Sequence, residues 1–231
     1  MTGTMGRGGR SAHIEADARV RALAQRQLGL VSRDQLEELG LSAQQVWRRV
    51  QSGALERVGP FVYRIGGAPV DDRHRVLAAV LDAGIDAAAS FGTCAALWKL
   101  PGYSIDPIEI TRFGRRNRRR SDLAVVHEPK LLRPEHLVAM GPLVVTTPSR
   151  LLFDLAGRVH IEKLRRTTDD VLAKRLSNVA ALHQMLGLMA ARGRRGIRNM
   201  REVLEERPIG YRPPESHLEA LVQRILVSGG Y

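Results

Sequence analysis

The chain has 231 residues, of which 44% are hydrophobic, and it carries a formal net charge of +12 with an isoelectric point near 11.0. This length suffices for one or two domains with a buried core. A single cysteine excludes an internal disulfide and a thiolate zinc site. The sequence predicts neither a signal peptide nor a membrane-spanning helix. The positive charge favours a polyanionic partner because neutralised phosphates release counterions, although only four of the 36 basic residues are lysines and such an arginine excess is also typical of GC-rich coding.

The N-terminal region begins with a segment rich in glycine and arginine. We predict that residues 1–12 form a disordered basic arm, with entry into a minor groove as the alternative role. The following stretch, Ile14–Gln27, places apolar residues at helical intervals and is predicted to be the first helix of a domain.

Two short helices joined by a tight turn are predicted next. The first is Arg33–Leu39, with Ser32 as N-cap, and Gly40 ends it because glycine adopts the left-handed conformation without steric cost. Ser42 caps the second, Ala43–Ser52. Helical spacing gives this second helix an apolar side (Ala43, Val46, Trp47, Val50) and a polar side (Gln45, Arg48, Arg49, Ser52).

A two-stranded hairpin follows these helices. Its predicted strands are Ala54–Val58 and Phe61–Ile65, joined by a turn at Gly59-Pro60. Helix, turn, helix and hairpin in this order predict a winged helix-turn-helix, whose second helix enters a major groove while the wing contacts neighbouring backbone or the minor groove. The predicted DNA contacts are Arg33, Gln44, Gln45, Arg48 and Arg49 from the helices and Arg57, Tyr63 and Arg64 from the wing. A winged helix that binds only protein is the alternative.

The rest of the chain predicts a mixed α/β domain with a helical C-terminal part. Its predicted helices and strands are helices Arg73–Gly84 and Ala87–Leu100, strands Pro107–Thr111, Leu123–His127 and Pro142–Thr146, a helix starting at Pro148 with Thr147 as N-cap, and helices Ile161–Arg175, Asn178–Ala191, Gly196–Glu206 and Glu215–Val227. We therefore predict an α+β protein with an arm at 1–12, a winged-helix domain at 13–67, an α/β domain at 68–207, and a linker with one helix at 208–231.

An arginine tract separates two of the predicted strands. The segment RFGRRNRRR is either the tip of a hairpin or a loop, and it carries six arginines, Arg112, Arg115, Arg116, Arg118, Arg119 and Arg120. Such a concentration of like charge seeks an anion. A second nucleic-acid contact, a docking site for an acidic protein and a solvated loop all remain open.

No catalytic or metal-binding constellation is recognisable. His127-Glu128 and His136 lack the spacing of zinc ligands, and Asp169-Asp170 point in different directions on a predicted helix, as a surface pair would. Cys94 falls in an apolar stretch and is predicted to be a small buried residue. We expect no enzymatic activity, no metal and no cofactor.

Four segments in order resemble the AbiEi-type antitoxin family of type IV toxin–antitoxin systems, especially its actinobacterial branch. They are LGLVSRDQLEELGLSAQQVWRRVQSGALERVGPFVYRIGG, AALWKLPG, IEITRFGRRNRR and VVTTPSRLLFDLAG, which together extend over roughly Gln25–Gly157. The resemblance implies a winged-helix domain that represses its own promoter and an α/β domain that counters a nucleotidyltransferase-like toxin, in the cytoplasm. Phe91 departs from the family, whose members tend to place histidine there.

The C-terminal stretch PPESHLEALVQRILVSGGY resembles the first helix of a very-short-patch-repair-type endonuclease domain, with Glu219 at the position of its acidic residue. Such nucleases need further acidic residues and lysine on two later strands to hold Mg²⁺. A truncated member of that nuclease family, and a protein-binding module that uses its arginine tract, are the alternative functions. The operator, the toxin and the oligomeric state are left open by the sequence.

Overall fold

The computed structural model describes residues 7–112, 121–190, 196–214, 222 and 226, with the side chains of 7–14 left out. The helices are α1 Arg7–Arg26, α2 Arg33–Glu38, α3 Ala43–Gln51, α4 Asp72–Ala83, α5 Phe91–Leu97, α6 Pro148–Ala156, α7 Ile161–Ala173, α8 Val179–Met189 and α9 Ile197–Glu205, with a short 3-10 helix at Pro134–His136. The strands are β1 Leu30–Ser32, β2 Leu55–Arg57, β3 Val62–Ile65, β4 Ala87–Ala89, β5 Glu109–Arg112, β6 Val125–His127, β7 Leu137–Met140 and β8 Leu143–Thr146. The predicted α+β class is confirmed.

The chain divides into two compact units, which we describe separately. One comprises residues 1–89, 107–129 and 139–144, and the other comprises 90–106, 130–138 and 145–231. The predicted domain limits at 67 and 207 stay a prediction. Helix α1 begins at Arg7, so the second half of the predicted arm is helical, whereas residues 1–6 lie outside the described ranges. The predicted helix Glu215–Val227 also lies outside them, except at residues 222 and 226.

The first unit contains the winged helix that the sequence predicts. Strands β1, β3 and β2 form an antiparallel sheet in that order, with Leu30 opposite Arg64 and Leu55 opposite Ile65. The short strand β1 was not predicted. Eight buried residues from the helices and the sheet form the core of this domain: Val20, Ala24, Val31, Leu36, Leu41, Val46, Leu55 and Tyr63.

Local capping fixes the two short helices where the sequence predicted them. The hydroxyl of Ser32 accepts from the backbone N–H of Gln35, whose side chain accepts in return from the Ser32 N–H. Ser42 and Gln45 form the same reciprocal pair at the start of α3. Gly40 adopts a φ of +85° between the helices, as its predicted role requires. Each capping box satisfies backbone donors that a helix start otherwise leaves unpaired.

Helix α4 and strands β4 to β6 complete most of this unit, where one prediction is wrong and one of two alternatives is excluded. Ala87–Ala89 is a buried strand rather than the start of a helix, because it pairs antiparallel with β5, and this pairing overrides the helix propensity of alanine. Strands β5 and β6 pair parallel, with Glu109 opposite Val125. Two consecutive parallel strands cannot form a hairpin, so the hairpin alternative for the arginine tract is excluded, while residues 113–120 lie outside the described ranges.

A five-stranded sheet has the strand order β6-β5-β4-β8-β7. Strand β7 was not predicted, because its residues do not alternate between buried and exposed along Leu137–Met140.

Phe91 follows β4 with a φ of +48° and begins α5. Within the described ranges, every helix is too short or too polar to span a bilayer.

The second unit is a group of packed helices. Pro148 occupies the first turn of α6 and the Thr147 hydroxyl accepts from the Arg150 N–H, as predicted. The guanidinium of Arg150 is buried and binds Asp154 and the carbonyl of Leu131. Cys94 is buried, as predicted, and burial raises its pKa to about 12. Asp169 accepts hydrogen bonds from Arg207 and Tyr211, and so differs from the surface residue that the sequence predicted at this position.

Candidate nucleic-acid interface

Helix α3 is the element that the sequence assigns to DNA, and its first turn engages one of the predicted contacts. The side-chain oxygen of Gln45 accepts from the Ser42 N–H at 2.8 Å, and the Gln45 N–H donates to the Ser42 hydroxyl at 3.3 Å. Gln45 is half-buried in this arrangement. Its amide oxygen therefore stabilises the start of the helix, which is the capping role of glutamine at this position.

Arg49 is held against the first helix of the domain. Its Nε and Nη2 donate to Asp17 Oδ1 at 3.0 and 2.6 Å, and its Nη1 donates to the Gln45 carbonyl at 3.0 Å. Only 16% of the Arg49 side chain is exposed. The two bonds to Asp17 link α3 to α1, and the third lies within α3, so Arg49 is placed to position the helix rather than to reach outward from it.

The exposed side of α3 differs from the predicted polar side. Trp47 was predicted to pack inward, yet 60% of it is exposed, whereas Val46 is only 5% exposed. The helix sits on Val46 and Val50, and its buried side extends from them toward Arg49, which pairs with Asp17, rather than toward Trp47 on the opposite edge. After Ala43, which starts the helix and is also exposed, the residues that face solvent are Gln44, Trp47, Arg48 and Gln51, which we call the α3 stripe. They are spaced at i, i+3, i+4 and i+7 and so lie in line along the helix.

Arg48 carries the positive charge of the α3 stripe. Within the part of the chain that the structure describes, its guanidinium forms no ion pair and no hydrogen bond. Arg33, at the start of α2, differs because it donates to Glu37 at 2.9 Å, which raises the pKa of Arg33. Both partners of that bridge are about half exposed, so an incoming phosphate can exchange with Glu37 at small cost.

The wing holds its predicted contacts in three different ways. Arg57 donates to the carbonyls of Gly59 and Pro60 at 3.3 and 3.0 Å and remains exposed. Arg64 pairs with Glu56 on the adjacent strand. Tyr63 is only 8% exposed and belongs to the hydrophobic core, so its ring lies beneath the wing surface.

A buried carboxylate supports the turn of the wing. Asp82 on α4 has no exposed surface; its Oδ1 accepts from the Phe61 N–H at 2.7 Å and its Oδ2 accepts from the Ser121 hydroxyl at 2.8 Å. A Cβ atom added at Gly59 would lie 2.7 Å from the same Oδ1, so the turn needs glycine to pass this close. Asp82 therefore fixes the wing turn, a role that its position in an apolar helix did not reveal.

The arginine tract is described only at its first residue. Arg112 lies on β5, is 7% exposed and pairs with Glu128 at 2.6 Å, so it is not an outward-facing contact. Arg115, Arg116, Arg118, Arg119 and Arg120 lie outside the described ranges. Ser121, which directly follows the tract, binds Asp82 and so lies next to the wing turn.

Within the described ranges, no group of three or more His, Cys, Asp and Glu residues is arranged to hold a metal.

Residues 18–66 match the AbiEi antitoxin family. The description of this family is transcriptional regulator, AbiEi antitoxin, and the matched segment spans the winged helix from α1 through β3. The crystal structure of the RV2827C protein from Mycobacterium tuberculosis is similar to this chain, with a TM-score of 0.51 and 16% sequence identity over 87% of this chain and 78% of that one. This similarity concerns the fold alone. No curated protein matches the chain.

Proposed function

We propose that this protein is a DNA-binding transcriptional autorepressor and the antitoxin of a type IV toxin–antitoxin system. In this proposal it acts in the cytoplasm on its own promoter and counters a nucleotidyltransferase-like toxin. The observation that carries the DNA-binding part is the α3 stripe, a solvent-facing row with the unpaired Arg48 at its middle, on the second helix of a winged helix. The matched family, which consists of transcriptional regulators, supports the same function.

Each side chain around α3 receives a role that its surroundings allow. Arg48 suits the guanine edge and Gln44 the adenine edge in the major groove. The exposed residues Arg33 and Arg57, together with the half-buried Arg64, suit phosphates beside the groove. Gln45 and Arg49 act indirectly, because their bonds to Ser42 and Asp17 hold the helix in place.

A titration against the protein's own upstream DNA tests the DNA-binding part. Fluorescence anisotropy is measured with a labelled upstream duplex and with a scrambled duplex of equal length, at low and at physiological salt. We expect tighter binding to the upstream duplex at both salts. Equal and steeply salt-dependent binding to the two duplexes would contradict a sequence-specific repressor and leave only generic attraction to phosphate.

The antitoxin part is tested separately in cells. The full chain is co-expressed with the nucleotidyltransferase-like protein of its own operon, and growth is followed together with a reporter driven by the operon promoter. We expect wild-type protein to restore growth and repress the reporter, and Arg48→Ala to restore growth without repression. Failure of the wild-type chain to restore growth would contradict the antitoxin function while leaving the repressor function in place.

We also propose that the arginine tract makes a second DNA contact, because the residue that directly follows the tract lies next to the wing turn. Ser121, the residue directly after the tract, donates to Asp82, which also accepts from the Phe61 N–H of the wing turn. Replacing Arg115, Arg116, Arg118, Arg119 and Arg120 with glutamine should lower the slope of log K against log salt by about 0.9 for each phosphate that the tract no longer neutralises, without changing the preference for upstream DNA. Arg112 is kept in this variant because it pairs with Glu128. A lost preference would show that the tract reads sequence instead.

A further inference from the structure

We propose that Trp47 is a specificity-determining residue that packs its indole against the C5-methyl groups of thymine in the major groove. This inference rests on the proposed function, because it assumes that α3 enters the groove. It adds an apolar contact with thymine to a helix whose other outward-facing side chains read polar base edges. The recognised partner is a thymine-containing stretch of double-stranded DNA.

The exposure of Trp47 is the first observation. Of the aromatic side chains that the structure describes, it alone is mostly exposed, at 60%. Aromatic side chains of this size normally bury most of their surface, and leaving one in water forgoes the corresponding hydrophobic stabilisation. The indole contributes little to the core beneath α3, where Val46 and Val50 pack instead. Its free surface is therefore available to an apolar partner outside the domain.

The neighbours of Trp47 favour DNA as that partner. Gln44, Arg48 and Gln51 surround it on the α3 stripe, so the indole is an isolated apolar surface within a polar, positively charged row. The stripe runs over eight residues, or about 10 Å along the helix axis, on a helix whose diameter of about 10–12 Å fits a major groove about 12 Å wide.

The chemistry of the groove identifies the base. The thymine methyl group is the apolar feature that the major groove presents, and an apolar side chain is the usual contact for it. Gln44 and Gln51 lie one helical turn before and after Trp47, where an amide suits the adenine of the same or a neighbouring T·A pair. Trp47 and the two glutamines together predict a preference for T·A pairs beside the base pair that Arg48 contacts.

Replacing thymine with deoxyuridine removes only the methyl group and so tests this contact directly. The probes are the upstream duplex and an identical duplex in which deoxyuridine replaces every thymine, titrated by anisotropy with the full chain. We expect wild-type protein to bind the uracil duplex about 4-fold more weakly for each methyl group contacted. Trp47→Ala should weaken binding to the thymine duplex and bring the affinities for the two duplexes together, whereas Trp47→Phe should keep part of the difference.

Two control variants separate removal of this interaction from general damage. Trp98→Phe changes the other tryptophan, which donates to the Thr146 carbonyl, and should leave the thymine-to-uracil ratio unchanged. The same variant leaves Trp47 as the only tryptophan, so acrylamide quenching of its fluorescence should decrease when the upstream duplex is added. Arg48→Ala should bind both duplexes more weakly while keeping their ratio. Because Trp47 is exposed, Trp47→Ala should retain the wild-type melting temperature.

The outcomes distinguish this inference from the function on which it rests. A thymine-to-uracil ratio that is the same in wild type and Trp47→Ala, or quenching that DNA does not change, would overturn the inference and leave the repressor function intact. Failure of wild-type protein to bind the upstream duplex at low salt would overturn both. Wild-type affinity of Trp47→Ala for both duplexes would also overturn it and assign the indole to a protein partner.

Discussion

Arg48 and Arg49 are adjacent in the sequence, yet the structure gives them different surroundings. Arg48 faces solvent on the α3 stripe, while Arg49 makes three hydrogen bonds, two of them to Asp17 on α1. The sequence assigned both to DNA because both fall on the charged side of the helix. It could not separate them, since the partner of Arg49 lies 32 residues earlier in the chain.

The Arg49–Asp17 pair should therefore contribute to stability. We expect Arg49→Ala and Asp17→Ala each to lower the free energy of unfolding by about 1 kcal/mol, as for a partly exposed ion pair with two charge-assisted hydrogen bonds. Urea unfolding measures this effect, and the double variant should lose less than the sum of the two single losses because both remove the same interaction. Fully additive losses would contradict the pairing.

The exposure of Trp47, like the pairing of Arg49, could not be predicted from the sequence of the helix alone. An apolar residue beside Val46 and Val50 is predicted to pack inward, and the helix is too short for its periodicity to fix where the buried arc ends. Pairing of Arg49 with Asp17 draws the buried side of α3 toward Arg49 and leaves Trp47, on the opposite edge, exposed. The choice depends on a tertiary contact, so the local pattern could not determine it.

At the scale of elements, the sequence predicted best the features that depend on hydrogen bonds between residues close together in the chain. The starts of α2, α3 and α6 agree with prediction because Ser32, Ser42 and Thr147 bond to residues three positions ahead. Strand β4 and the parallel pairing of β5 with β6 were missed, because neighbours distant in the sequence determine both. Hydrogen-bond partners across a sheet leave no signal in a three-alanine segment.

The turn of the wing depends on Asp82, which is distant from it in the sequence. We expect Asp82→Ala to lower the free energy of unfolding by about 2–3 kcal/mol, because the Phe61 N–H and the Ser121 hydroxyl both lose a buried charged acceptor. Asp82→Asn should cost less, since its amide oxygen still accepts from Phe61. Both are measured by urea unfolding. A loss below about 0.5 kcal/mol for the alanine variant would show that the wing turn does not depend on this carboxylate.

At the scale of the whole molecule, two buried histidines make stability depend on pH. Neither ring nitrogen of His74 has a hydrogen-bond partner among the described residues, and burial, followed by the charge of Arg64, lowers its pKa. The pKa of His136 is lowered by burial and then by Arg150. Between the lowered folded pKa and the ordinary value near 6.5, the unfolded chain binds more protons than the folded one.

Stability should therefore be fully present above about pH 6.5 and decrease as the pH falls toward the folded pKa values. Each histidine contributes at most about 1.4 kcal/mol per pH unit. Urea unfolding between pH 7.5 and 5.5 should show this decrease, and His74→Leu should make the pH dependence shallower. An unchanged pH profile in the leucine variant would contradict the assignment to His74.

The central claim, that the α3 stripe reads DNA, is tested most directly by comparing two arginine variants. Arg48→Ala removes the charge of the stripe, and Arg166→Ala removes an equal charge from an exposed position on α7. Both are titrated by anisotropy against the upstream and scrambled duplexes at physiological salt. We predict that Arg48→Ala loses about 1–3 kcal/mol of binding to the upstream duplex and most of the sequence preference, while Arg166→Ala keeps both. Equal effects of the two variants, or an unchanged preference in Arg48→Ala, would contradict the account.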